Sequence, residues 1–146
     1  MNEIWFDWNE DTHTTTCVIQ PEKNGPTFVG EAICHSDDYD MESAHTGQEI
    51  AYKRAKIKHL QHICKYELKP QIAALKHLSG CMSHSTQFNP KSYENKMLQR
   101  QIRLLEFDLT TAHEMIQYER ESLKEYIDKK DDMYKRIRRQ RAAGQD

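Results

Sequence analysis

The strongest constraint on this fold is a row of apolar residues that recurs at alternating steps of four and three in the C-terminal part of the chain. This spacing is the a/d pattern of a helix that packs along another helix. Only Glu119 and Lys130 interrupt the row, and the positions between its members are mostly charged or polar, which predicts a long solvated helix with one apolar stripe. The row consists of Leu98, Ile102, Leu105, Leu109, Ala112, Ile116, Glu119, Leu123, Tyr126, Lys130, Met133 and Ile137.

The first 35 residues have the pattern of a small antiparallel sheet. Apolar and polar side chains alternate with the period of a strand over 4–8, and a β-branched run at 14–19 predicts a second strand. Residues 27–34 predict a third strand, with turns at 9–11 and at Asn24-Gly25 between the strands. We therefore expect a β-meander over 1–35, which needs a helix against one face to be stable.

Two long helices are predicted after an acidic connector at 36–45. Helix one is expected over 46–79, with Thr46 as its cap and Gly80 as its end. Pro70 lies inside this helix, where it removes a backbone donor, so a kink or short break is expected near Tyr66 to Lys69.

Helix two is expected over 90–141, after a turn at 80–89. Asn89-Pro90 is the start signal, because asparagine caps helices and proline is tolerated at the first helical position. The predicted fold class is α+β: a short N-terminal three-stranded antiparallel sheet followed by a long antiparallel helical hairpin with coiled-coil-like packing. A chain of 146 residues predicts a single domain over 1–146.

The net charge of −2 hides a steep gradient along the chain. Residues 1–50 hold eleven acids and one base, whereas residues 129–146 hold seven bases and three acids. The hairpin would place the basic end of helix two beside the acidic connector, so the favoured interpretation is mutual neutralisation. The predicted acidic contacts are Asp37, Asp38, Asp40 and Glu42, and the predicted basic contacts are Lys130, Lys135, Arg136, Arg138, Arg139 and Arg141.

The same basic end also suits phosphate binding, since lysines and arginines on several faces of a helix attract a polyanion through counterion release. A second basic run on helix one has no intervening acid and allows the same interpretation, or is the solvated side of that helix. This run consists of Lys53, Arg54, Lys56, Lys58 and Lys65.

Metal binding and catalysis are both disfavoured by the motifs present. A structural zinc site normally has closely paired ligands in two places, and neither Cys-x-x-Cys nor His-Glu-x-x-His occurs. No phosphate loop or catalytic triad is recognisable, so we expect no enzyme activity and no cofactor. The cysteines are widely spaced, which predicts reduced, packing thiols. The histidines and cysteines at a spacing that allows a shared metal are His59 with His62, and His77 with Cys81 and His84. Cys34-His35 resembles an activated thiol, but adjacent residues of a strand point to opposite faces.

Aromatic side chains are concentrated in the predicted sheet, at Trp5, Phe6, Trp8 and Phe28. Aromatics in such a position most often form a small core against helices, and we expect that role here. The alternative is an exposed aromatic patch, which is the kind of surface that protein-binding sites use.

Several short segments carry a resemblance to known sequences: Gly30–Asp40, Ser43, Thr46-Gly47, Ile50-Ala51, Arg54-Ala55, Ile57-Lys58, Phe88–Glu94 and Tyr134–Arg138. Together they resemble a small protein type carried by phages and prophages of Gram-positive bacteria. The resemblance implies an origin and no assigned activity or catalytic residues. By class, it implies a small non-enzymatic protein that blocks a host machine, as anti-CRISPR and other anti-defence proteins do.

The sequence as a whole therefore predicts a non-catalytic binding protein of phage origin that acts on a host protein in the cytoplasm. The alternative is a nucleic-acid-binding accessory protein that uses its basic helices. No run of about 18 apolar residues is present, so no membrane span is expected. Self-association is expected along a seam formed by Leu109, Ile116, Leu123, Tyr126, Met133 and Ile137.

Overall fold

A computed structural model describes residues 2–41 and 43–144, with the backbone but not the side chains of Asp37, Asp40 and Met41. It is an α+β structure in which a three-stranded antiparallel sheet precedes the long helices. Within the described residues, none of the helices combines the length and apolarity that crossing a bilayer requires.

The sheet has strand order β1-β2-β3, with β1 at Glu3–Asn9, β2 at Thr14–Gln20 and β3 at Phe28–Ile33. Both predicted turns are present. Asn9 Oδ1 accepts the Asp11 amide N–H at 2.9 Å in the first turn, and Asn24 adopts a left-handed φ of 63° in the second. The three predicted strands are confirmed to within about one residue at each end.

The first and the last long helix each begin at a serine that lies three residues from the residue predicted to cap the helix. A short 3-10 helix at Ser36–Met41 occupies the predicted connector, and α1 spans Ala44–His62. The Thr46 amide donates to Ser43 Oγ at 3.4 Å, so Ser43 caps α1 and the prediction of Thr46 was wrong. Helix α3 spans Tyr93–Ala143 and is capped by Ser92, whose Oγ accepts the Asn95 amide at 3.2 Å.

The predicted start at Asn89-Pro90 is instead the turn that precedes α3. Asn89 Oδ1 accepts the Lys91 amide at 3.0 Å, and the Asn95 side-chain amide donates to the Pro90 carbonyl at 2.9 Å. Asparagine satisfies the turn backbone as readily as a helix end, which explains why the start signal lies three residues too early.

The irregularity predicted near Pro70 is a π-helical segment at Ile63–Leu68, between α1 and α2 at Lys69–Ser83. The Lys69 amide donates to the Cys64 carbonyl, five residues earlier, so the backbone continues without a break. The end predicted at Gly80 was wrong, since α2 continues to Ser83 and Ser83 Oγ donates to the Gly80 carbonyl at 2.8 Å. An interior glycine costs a helix only about 1 kcal/mol, which continued hydrogen bonding offsets.

The chain divides into two compact units. The first contains Met1–His59 and Gln117–Asp146, and the second contains Leu60–Ile116. In the first unit, one helix–sheet core joins small side chains of α1 to the inner face of β2 and β3; it consists of Cys17, Ile19, Ala32, Ala51 and Ala55. In the second unit, Leu60, Cys64, Ile72, Ile102, Ala112 and Ile116 are buried. The single domain over 1–146 stays a prediction.

Candidate protein-binding surface

Strand β1 presents large apolar side chains that its own unit does not cover. Ile4, Phe6 and Trp8 are 46%, 38% and 45% exposed, and Trp5 on the opposite face of the strand is also exposed. The prediction that these residues form a core was therefore wrong for Trp5, Phe6 and Trp8. It was correct for Phe28, which is 8% exposed and stacks on the His59 ring at 4.8 Å.

The register of the sheet places Ile4, Phe6 and Trp8 on its helix-facing side. Phe6 pairs with Cys17, which pairs in turn with Gly30, so the three residues lie in one row across the sheet. Cys17 is fully buried, and its burial raises the pKa of its thiol. The neighbouring Phe6 is nevertheless exposed, so the helix covers only part of this face.

Close backbone contact explains why α1 covers β2 and β3 only. A Cβ atom at Gly30 would overlap the Ala51 carbonyl oxygen and the Ala55 amide nitrogen, and one at Gly47 would overlap Thr15 Oγ1. Helix α1 therefore lies directly on Gly30 and Thr15. A helix about 10 Å wide spans roughly two strands that are spaced at about 4.8 Å, so the third strand remains uncovered.

A groove of about 400 Å³ follows the uncovered face. It is lined by Phe6, Asp7, Trp8, Thr15, Tyr39, Ala44 and Gln48. Three rings order one end of this groove: Trp8 meets His13 edge-on at 5.9 Å, and His13 stacks on Tyr39 at 3.6 Å. Nothing in the sequence pattern groups His13 and Tyr39 with Trp8, because it is the fold of the 3-10 helix that brings Tyr39 to the hairpin loop.

A smaller cavity of about 180 Å³ shares Trp8 and Thr15 with the groove and also contacts His13. Burial raises the pKa of the Tyr134 hydroxyl, which lines this cavity together with Thr46. Arg54 reaches from α1 to donate to the Glu31 carbonyl at 2.6 Å. The remaining polar side chains that line this cavity are Cys34, His35, Asp38, Ser43, Lys130 and Asp131.

Within the first unit, the structure brings together one of the predicted acidic contacts and one of the basic contacts. Arg138 Nη1 forms an ion pair with Asp38 Oδ1. The side chains of Asp37 and Asp40 and all of Glu42 lie outside the described residues. Lys130 lies over the Tyr126 ring at 5.5 Å from its centroid, and the other predicted basic contacts, Lys135, Arg136, Arg139 and Arg141, are exposed.

Glu119, one of the two polar residues in the apolar row, contacts helix α1. Glu119 is buried at 8% exposure and accepts a hydrogen bond from Lys56 of α1 at 2.9 Å. This bond raises the pKa of the Lys56 ammonium. Lys53 donates to Ser122 Oγ at 3.2 Å one turn away, so these polar contacts hold α1 and the C-terminal part of α3 in one register.

The predicted self-association seam is mostly covered by the chain itself. Ile116 is buried, and Leu109, Leu123, Tyr126, Met133 and Ile137 are half-buried. The buried Tyr126 hydroxyl has no hydrogen-bond partner among the described residues. These positions carry less exposed apolar surface than the row pattern suggested.

The candidate metal ligands do not assemble into a site within the described part of the chain, where no group of three or more His, Cys, Asp or Glu side chains is placed to hold a metal ion. His77 Nε2 lies 3.7 Å from Cys81 Sγ because α2 continues past Gly80. His84 is the cap residue at the end of that helix. Among the described residues, no disulfide joins the four cysteines.

Comparison of the chain with protein-family models, with curated proteins and with solved structures gave no match. The functional argument therefore rests on the geometry of the surface around β1.

Proposed function

We propose that this protein is a non-catalytic binding protein whose strand β1 docks a basic, extended segment of a host protein. The observation that carries the proposal is the aromatic face of an edge strand that its own helix leaves uncovered. Aromatic residues are enriched at the centres of protein interfaces, where they supply most of the binding energy.

Strand β1 has two properties that suit an extended partner. Its only strand neighbour among the described residues is β2, so one edge of its backbone is available for a further strand. The alternating side chains of an added strand would place every second residue against the groove formed around Phe6 and Trp8.

The charge around β1 favours a basic partner. Glu3 and Asp7 lie on the strand, on the same face as Trp5 and opposite Phe6 and Trp8, and Glu10 and Asp11 lie in the hairpin loop that follows. Lysine and arginine side chains would gain from these carboxylates and from cation–π contact with the indole and phenyl faces. The same acids disfavour pairing of β1 with a second β1, because like charges would then face each other.

Selection from a display library of short random peptides on the immobilised full chain tests this proposal. We expect the selected peptides to alternate lysine or arginine with apolar residues and to bind less tightly as salt is raised. Affinity is then measured by fluorescence anisotropy of labelled peptides on the wild type and on the double variant Phe6→Ser/Trp8→Ser, which should bind at least about tenfold more weakly.

Ile33→Ser is the matched control, since Ile33 is 70% exposed on β3, the edge strand at the other side of the sheet. It should retain peptide affinity, and circular dichroism should verify that all variants are folded. Selected peptides without basic residues, or equal binding by Phe6→Ser/Trp8→Ser and wild type, would contradict the proposal.

The resemblance to phage and prophage proteins extends this proposal to anti-defence action in the host cytoplasm. In that case the basic segment would belong to a host defence machine, and its occupation would inhibit that machine. Nuclease-treated pull-down from a host lysate with wild type and Phe6→Ser/Trp8→Ser would identify the partner. If wild type and Phe6→Ser/Trp8→Ser retain a partner equally, that partner does not bind the β1 surface, and inhibition through β1 is contradicted.

The nucleic-acid alternative is supported by the exposure of Lys135, Arg136 and Arg139 near the end of α3. Its test is the binding of a labelled duplex and a labelled single strand at physiological salt. The alternative requires steep salt dependence and loss of affinity in Lys135→Glu/Arg139→Glu. The β1 proposal predicts little affinity for either nucleic acid under these conditions.

We also propose that the helices form an antiparallel hairpin with coiled-coil packing. In the first unit, it is supported by the contacts of Lys53 with Ser122 and of Lys56 with Glu119. In the second unit, Gln99 donates to Ser79 Oγ at 2.8 Å and Lys76 pairs with Glu106 at 3.4 Å. In each unit, the partner's number falls as the residue number on the first helix rises, which is the order expected of antiparallel helices.

A further inference from the structure

Helix α3 carries a second apolar stripe, separate from the predicted seam. Phe107 and Leu104 are 69% and 50% exposed, and Met97 and Met115 are also exposed. At about 100° per residue, this stripe is centred roughly 120° around the helix from the buried side chains of Ile102, Ala112 and Ile116. The stripe, defined here as Met97, Leu104, Phe107 and Met115, is therefore a distinct face of the helix.

The charges that flank the stripe change sign along it. Lys96, Arg100 and Arg103 lie in its first half, and Asp108 and Glu114 lie in its second half; all five are exposed. In a parallel pair of stripes, Arg100 would face Arg100. In an antiparallel pair, the basic half of one copy would face the acidic half of the other.

We propose that the stripe is an interface with a second copy of this chain, bound antiparallel about a two-fold axis near residue 106. This register places Met97 opposite Met115 of the second copy and Leu104 opposite Phe107. It also brings Arg100 within reach of Glu114 across the interface, because both lie on the same flank of the stripe. The interface is independent of the β1 surface and of the half-buried seam.

Sedimentation velocity over a range of protein concentrations tests the interface. We expect a wild-type dimer whose dissociation constant rises at least about tenfold in Phe107→Asp. His113→Asp is the matched control, because His113 is exposed on α3 outside the stripe and the substitution introduces the same carboxylate. The control should dimerise as the wild type does.

Charge reversal tests the orientation. Arg100→Glu should weaken the dimer and Glu114→Arg should do the same, whereas the double variant Arg100→Glu/Glu114→Arg should restore the wild-type dissociation constant. Circular dichroism separates loss of the dimer from loss of fold. A wild type that is monomeric at high micromolar concentration, a dimer unaffected by Phe107→Asp, or a double variant without rescue would each overturn the proposal.

Discussion

Replacement of Gly30 by alanine tests the helix–sheet contact that leaves β1 uncovered. The new Cβ would overlap backbone atoms of Ala51 and Ala55, which are less free to move than the end of a side chain. Overpacking of this kind costs about 1–3 kcal/mol, and at about 4 °C per kcal/mol the melting temperature should fall by roughly 4–12 °C. Chemical denaturation monitored by circular dichroism gives the free energy of unfolding directly.

The matched control is the same substitution at Gly80, in the interior of α2. A Cβ there would meet no other atom within 4 Å, so Gly80→Ala should stabilise the protein by up to about 1 kcal/mol. The two alanine variants should thus change stability in opposite directions. A Gly30→Ala protein as stable as the wild type would refute the placement of α1 on the sheet.

Three further predictions concern polar groups on or beside α3. Lys56→Met should destabilise the protein by about 1–3 kcal/mol because it leaves the buried Glu119 carboxylate without its partner, and Lys56→Met/Glu119→Leu should recover most of that loss in denaturant titrations. Tyr126→Phe removes a hydroxyl that has no hydrogen-bond partner among the described residues and should raise the free energy of unfolding by about 1 kcal/mol in the same titrations. Because burial raises the pKa of Tyr134, its contribution is complete below about pH 10 and is lost as the pH rises through the raised pKa; Tyr134→Phe should therefore show a smaller loss of stability over that alkaline range.

Local chemistry explains why the sheet and its turns could be predicted. Alternating side chains determine which residues share a face of the sheet. Asn9 accepts a backbone amide of the first turn, and Asn24 adopts the left-handed φ of the second turn, which few other residues accept. The irregular segment before Pro70 is local in the same sense, because the missing amide of proline acts within one turn.

The coverage of the sheet could not be predicted from strand periodicity, because it depends on where a helix lies. Trp5, Phe6 and Trp8 have the composition of a core, but the position of α1 over Gly30 leaves Phe6 and Trp8 exposed, and Trp5 lies on the face of the sheet opposite α1. A signal was nevertheless present. A glycine inside a strand indicates close approach of another backbone, and Ala51 and Ala55 supply small residues one helical turn apart.

The caps were misassigned for a different reason. The predicted cap Thr46 lies three residues after Ser43, and the predicted cap Asn89 lies three residues before Ser92. Threonine and asparagine are also good caps, so the sequence offers two choices, three residues apart, at each helix start. The choice depends on how the preceding turn uses its own hydrogen bonds.

The central claim, that β1 presents an uncovered aromatic face to a basic partner, is tested most directly by the intrinsic fluorescence of the native chain. Its two tryptophans both lie on β1, Trp8 on the same face as Phe6 and Trp5 on the opposite face, so comparison with Trp5→Phe isolates the signal of the binding face. Exposed indoles predict red-shifted emission, strong quenching by acrylamide and, beside acidic residues, stronger quenching by caesium than by iodide. Emission that is blue-shifted and protected from acrylamide in the free protein would contradict the account.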